Sequence, residues 1–158
     1  TTLQIAGRET RIVGNRIEVK DGRAGLLLWG EAPVIENNII IFSGLGRNES
    51  AAPIKLFQAS GAVIRNNVII IEDARFAPQQ AISLIGSDNV TIERNHIYGG
   101  KQLVRSFGTA SGASESDNIL LPYSERPFLA AEVKAASEVD LSFRWVDKYP
   151  VEQDSFNF

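Results

Sequence analysis

The sequence predicts an all-β solenoid, a parallel β-helix of about four to five rungs with a capping segment at its C-terminal end. Three observations carry that expectation. The first is a skeleton that recurs along the chain: a β-branched residue, two residues of any kind, Asn, one more residue, then Ile or Val. It reads Ile12-Val13-Gly14-Asn15-Arg16-Ile17, Val34-Ile35-Glu36-Asn37-Asn38-Ile39, Val63-Ile64-Arg65-Asn66-Asn67-Val68 and Ile92-Glu93-Arg94-Asn95-His96-Ile97. A worn copy, Ser114-Glu115-Ser116-Asp117-Asn118-Ile119, has Asp117 at the Asn position. The second is spacing. Asn15 to Asn37 is 22 residues, Asn37 to Asn66 is 29, Asn66 to Asn95 is 29, and Asp117 follows after 22 more. Self-similarity at such periods marks a solenoid or array. The third is composition, because each copy is rich in Ile and Val, which suit strands better than helices.

A lone Asn inside an apolar run is costly unless its amide is satisfied. Stacking one Asn above another lets each side chain bond the next turn of the chain. We therefore expect a ladder of Asn15, Asn37, Asn66 and Asn95 at an inner bend between two strands. The unequal steps then mean constant strands with a loop of variable length at one corner.

Residues 3–20 form a first, incomplete rung, and Lys20-Asp21-Gly22-Arg23-Ala24-Gly25 is a polar, Gly-rich corner. A second strand family then repeats: Leu26-Leu27-Leu28-Trp29, Ile54-Lys55-Leu56-Phe57, Ile82-Ser83-Leu84-Ile85 and Leu103-Val104-Arg105-Ser106-Phe107. Each is followed by a short turn. One rung is thus strand, turn, strand, Asn bend, strand, variable loop.

Period-two alternation assigns the faces. Ile54, Leu56, Ile82 and Leu84 point inward, with Val104 and Ser106, because an inward Arg105 would bury a charge. Leu27, Lys55, Ser83 and Arg105 then point outward, as do Trp29, Phe57, Ile85 and Phe107. The third strands, Asn38-Ile39-Ile40-Ile41-Phe42 and Asn67-Val68-Ile69-Ile70-Ile71, are apolar on both faces, and such strands are usually covered on both. The skeleton makes Ile35, Ile40, Ile64 and Ile69 an outward band, to be covered by the chain's own tail or by another copy. With Leu27 and Trp29 it exceeds what one short tail covers, so copies of the chain are expected to associate side by side.

The repeat stops after Leu121-Pro122. Residues 127–136 are Ala-rich and open with Pro, as a short helix does. Residues 139–146 alternate, with Val139, Leu141, Phe143 and Trp145 on one face. We divide the chain into a solenoid over residues 1–121 and a cap or tail over 122–158, packing on the solenoid or on a neighbouring subunit.

The stretch AISLIGSDNVTIERNHIYGG, residues 81–100, resembles the repeat of the right-handed parallel β-helices of the pectin-lyase-like superfamily. The resemblance covers about residues 3–120 and implies right-handed winding. It also implies that any chemistry sits on the outward side of one sheet, in a groove walled by loops. A repeat of this kind encodes stacking rather than chemistry. The superfamily's familiar signatures are missing. There is no Asn-Thr-Asp, Gly-His-Gly or Arg-Ile-Lys as in the polygalacturonases, no Asp-Pro-His-Glu as in the alginate epimerases, and no acid cluster of the calcium-dependent pectate lyases.

Composition narrows the partners. A net charge of −3 and no Lys/Arg cluster argue against nucleic acid, and no apolar run reaches membrane-spanning length. Without cysteine there is no disulfide and no thiolate metal site. No metal-ligand spacing or cofactor motif is found, so no cofactor is expected. The chain has no Met and begins Thr-Thr, as a processed product or an excised piece does. The sequons Asn48-Glu49-Ser50 and Asn89-Val90-Thr91 are what chance gives in so Asn-rich a chain. The single histidine, His96, follows Asn95 at a bend and reads as a turn residue rather than a general base.

Two functions from different classes follow. In the first, the chain is a non-catalytic module of a secreted or cell-surface, carbohydrate-associated protein. It forms homo-oligomers and binds a polysaccharide by stacking sugars on Trp29, Phe57 and Phe107. In the second, it is a small polysaccharide lyase or epimerase, or the C-terminal rungs of one. Lys55 and Arg105 would then be the catalytic candidates, a cation neutralising a sugar carboxylate while a base removes the neighbouring proton. Glu31 and Asp88 lie in the adjoining turns. The missing signatures favour the first.

Overall fold

A computed structural model describes residues 2–20, 22–43, 48–72, 77–109 and 112–127. Five rungs of three strands follow one another. The first is β1 (Leu3–Ala6), β2 (Arg11–Val13) and β3 (Arg16–Lys20); the second is β4 (Ala24–Trp29), β5 (Val34–Glu36) and β6 (Ile39–Ser43). The third is β7 (Ala52–Phe57), β8 (Val63–Arg65) and β9 (Val68–Ile71); the fourth is β10 (Gln80–Ile85), β11 (Thr91–Glu93) and β12 (His96–Tyr98). The fifth is β13 (Gln102–Phe107), β14 (Ser114–Ser116) and β15 (Ile119–Leu121), after which a single 3-10 turn spans Tyr123–Glu125. Strands of equal place in the rung pair in parallel, giving three five-stranded sheets, β1-β4-β7-β10-β13, β2-β5-β8-β11-β14 and β3-β6-β9-β12-β15. The protein is a parallel β-helix.

Its core is a set of columns, one apolar side chain per rung. The second sheet sends in Ile12, Ile35, Ile64 and Ile92, which are in register. The third sends in Ile40, Ile69 and Ile97, and the first sends in Leu26, Ile54 and Ile82 beside Leu28, Leu56 and Leu84. All of these are buried. Each fully buried Leu or Ile contributes about 1.5–3 kcal/mol by leaving water, so the stack is stabilised mainly here.

The asparagine ladder exists, one residue away from the expected place in the two middle rungs. Its members are Asn15, Asn38, Asn67, Asn95 and Asn118. The Asn38 amide nitrogen donates to Asn67 Oδ1 at 3.0 Å and to the Ile12 carbonyl at 2.8 Å, while its backbone N–H also reaches Asn67 Oδ1 at 3.0 Å. Asn67 repeats the pattern toward Asn95 and Ile35, and Asn95 toward Asn118 and Ile64. Asn37 and Asn66 are instead exposed and left-handed, at φ 56° and 54°. They share a column with Gly14, Arg94 and Asp117, also at positive φ. The bend therefore needs a left-handed residue followed by the ladder Asn, and Asn tolerates that conformation better than most residues.

That one-residue offset inverts the faces of the neighbouring strands. Ile35, Ile40, Ile64 and Ile69 are not an outward band; each is fully buried in the core. They offer no surface to a second copy; of the six residues expected to carry side-by-side association, Leu27 and Trp29 alone stay outward and half-buried. The outer columns of the third sheet are Ile39 and Val68 beside Ile41, Ile70 and Tyr98. The double-sided apolar character of β6 and β9 is thus real, with the two sides exchanged.

The turn after β4 shows how closely rungs approach. Gly30 sits at φ 105°, and a Cβ there would stand 2.1 Å from the Gly7 carbonyl oxygen. Only glycine fits that turn. The helix expected at 127–136 and the alternating strand at 139–146 lie outside the described residues.

Candidate functional site

The outer face of the first sheet is built by parallel register. Leu27, Lys55, Ser83 and Arg105 form one column, and Trp29, Phe57, Ile85 and Phe107 form the next. These are the columns that alternation predicts. Near the start of β10 alternation lapses, because Ala81 and Ile82 both enter the core. Gln80 thereby shares the outer face with Ser83, and its amide nitrogen lies 3.1 Å from Ser83 Oγ.

A strap of four residues, 48–51, lies against this face. An Asx turn shapes it: Asn48 Oδ1 accepts from the Ser50 backbone N–H at 2.9 Å and from its hydroxyl at 3.0 Å. Gln80 pins it down, its amide nitrogen donating to the carbonyls of Glu49 at 2.7 Å and Ala51 at 2.9 Å. Beneath, Ser83 is wholly buried although it points away from the core.

Each cation of the face is held by the strap. Lys55 Nζ donates to Ser50 Oγ at 2.7 Å. Arg105 donates to Glu49 Oε2 at 3.3 Å, and its guanidinium stands 4.8 Å from the centre of the Phe107 ring. Partial withdrawal from water lowers the Lys55 pKa from its ordinary value, and the Arg23 charge lowers it further. Both act against the charged form.

The aromatic column has its own packing. Trp29 and Phe57 meet edge to face, with centroids 6.3 Å apart and planes at 71°. Trp29, Phe57, Ile85 and Phe107 are all half-buried. The two rings on adjacent rungs are therefore not a flat platform.

Other candidates fall elsewhere. Glu31 pairs with Arg8 at 2.7 Å, on a separate depression of about 370 Å³ shared with Ser60 and Asn89. His96 opens β12 and is exposed, on the third sheet rather than the first. Among the described residues no group of three His, Cys, Asp or Glu side chains could hold a metal ion, and no helix is long and apolar enough to cross a membrane. The sequence does not announce Glu49, Ser50 or Gln80. The one available signal is Gln80, a polar residue where strict alternation calls for an inward apolar one.

No family model matches the chain, and no curated protein or solved structure matches it.

Proposed function

We propose that this chain is a non-catalytic β-helix module, akin to the pectin-lyase-like superfamily, that binds an acidic polysaccharide along the outer face of its first sheet. It would serve a carbohydrate-associated protein at the cell surface or outside the cell. The observation that carries the reading is the pairing of two outward columns. One bears Lys55 and Arg105 on either side of Ser83; the other presents Trp29, Phe57 and Phe107. Rungs repeat at about 4.8 Å, so charge and ring recur along one axis, as a linear polyanion requires. Catalysis is disfavoured because neither column sets a carboxylate or an imidazole beside Lys55 and Arg105.

Titration calorimetry with an oligogalacturonate, beside a neutral oligosaccharide of equal length, tests this. We expect binding of the acidic chain alone, weakened by Lys55→Gln, Arg105→Gln and Phe57→Ala. Binding that prefers the neutral chain, or none at all, overturns the reading. One observation favours a second reading, a lyase: the lowered pKa of Lys55 suits a general base. Ultraviolet absorbance from an unsaturated product, lost in Lys55→Gln, would establish it in place of the first.

A further inference from the structure

We infer that Glu49 is a built-in stand-in for a ligand carboxylate, so that an acidic polysaccharide binds the first sheet by displacing the strap from its cations. The inference rests on the binding reading above and adds a mechanism of self-restraint to it.

The chain has placed its own carboxylate on the one guanidinium of the outer column. Glu49 and Arg105 are 56 positions apart in sequence, and nothing in the repeat requires their meeting. The pair joins side chains 80% and 41% exposed, at 3.3 Å and through a single oxygen. Exposed pairs of that kind are weak and readily exchanged for another anion. The same strap engages Lys55 through Ser50, so exchange of the Glu49 and Ser50 side-chain contacts would free both cations while Gln80 still holds the strap backbone.

A second observation points to a ligand independently. Gln80 is 1% exposed, and its Oε1 has no hydrogen-bond partner. Its orientation is fixed, because the amide nitrogen is needed by the Glu49 and Ala51 carbonyls. Turning the amide over would set oxygen against oxygen. A buried acceptor without a donor is unfavourable, and it belongs to the side chain whose amide nitrogen holds the strap and meets Ser83. A sugar offers both groups that the face lacks: hydroxyl donors for Gln80 Oε1 and a carboxylate to replace Glu49 on Arg105.

The test compares four proteins by titration with an oligogalacturonate: wild type, Glu49→Gln, Arg105→Gln and the double variant. Glu115→Gln serves as a charge-matched control on the second sheet. Glu49→Gln should bind roughly two- to fivefold tighter, the exchange of a weak exposed pair. Arg105→Gln should bind several-fold more weakly, and in its background Glu49→Gln should gain nothing. Glu115→Gln should match wild type. A gain from Glu49→Gln that persists without Arg105, or an equal gain from Glu115→Gln, would reduce the effect to net charge and overturn the inference. If wild type binds and Glu49→Gln binds no tighter, the inference fails and the binding reading stands. If neither binds, both fail.

Discussion

At the bend, Asn15, Asn38, Asn67, Asn95 and Asn118 carry one residue type through five rungs. On the outer face of the first sheet, four of the same rungs present Leu27, Lys55, Ser83 and Arg105 in one column. The geometry is common to both, since each column is a parallel register at strand spacing. The demands differ. In the bend each inner amide donates to the next rung and accepts from the one before, so any other residue leaves its neighbours short of a partner. On the outer face no neighbour requires a particular residue, and chemistry is free to vary from rung to rung. In a stack like this, repetition marks what holds the fold, and departure from repetition marks where function can lie.

The hardest way to break the repeated side is to charge it. Ile69→Asp places a carboxylate in a column that is fully buried, with no cation beside it. We expect a loss of several kcal/mol, roughly 3–5, or no folded protein at all. Chemical denaturation followed by circular dichroism reads this. A folded but dissociated Ile69→Asp protein would restore the outward band and contradict the core assignment.

Neighbouring asparagines give a finer comparison. Asn67→Leu strips the Asn38 N–H groups of their side-chain acceptor, takes one donor from the Ile35 carbonyl and leaves Asn95 Oδ1 with only the backbone N–H of residue 67. It should cost about 1–3 kcal/mol. Asn66→Gly keeps the left-handed bend and loses only an exposed bond from Arg94. It should stay within about 0.5 kcal/mol of wild type. Equal costs at the two positions would mean that the ladder does not set the register.

That pair also shows what was legible in the sequence. The strands, their parallel stacking and the existence of a ladder follow from Ile, Val and Asn at regular steps. The doubled Asn37-Asn38 and Asn66-Asn67 offered two candidates per bend, and the skeleton took the first of each. Counting back from the ladder instead gives Ile12, Ile35, Ile64 and Ile92 at a constant distance, a more uniform pattern than the mixture of Val and Ile first read. Once a strand has period two, a one-residue error exchanges its faces. The columns of the first sheet were legible because alternation holds from Ile82 onward. The strap was not, because its contacts join Glu49 to Gln80 and Arg105 across 31 and 56 positions, with no repeat to announce them.

The smallest expected effect lies on the variable side and sharpens the comparison there. Lys55 stands in a column that does not repeat, so its surroundings need not be ideal for its charge. Burial, and then Arg23, lower its pKa from 10.5. Between that lowered value and 10.5 the unfolded chain holds a proton that the folded chain has released. Unfolding then takes up a proton, and stability rises with pH through the window. Below it both states are protonated and the folded state carries the full cost of the charge; above it the cost is gone. Lys55→Gln removes the titration. Relative to that variant, wild type should be less stable near neutral pH and should recover as pH approaches 10.5. The ammonium keeps its contact with Ser50 and some water, so the recovery should be slight. Denaturation midpoints of the two proteins across the window measure it. A gap that stays constant would show that Lys55 meets no more resistance to its charge here than in an open chain, and a widening gap would reverse the sign of its environment.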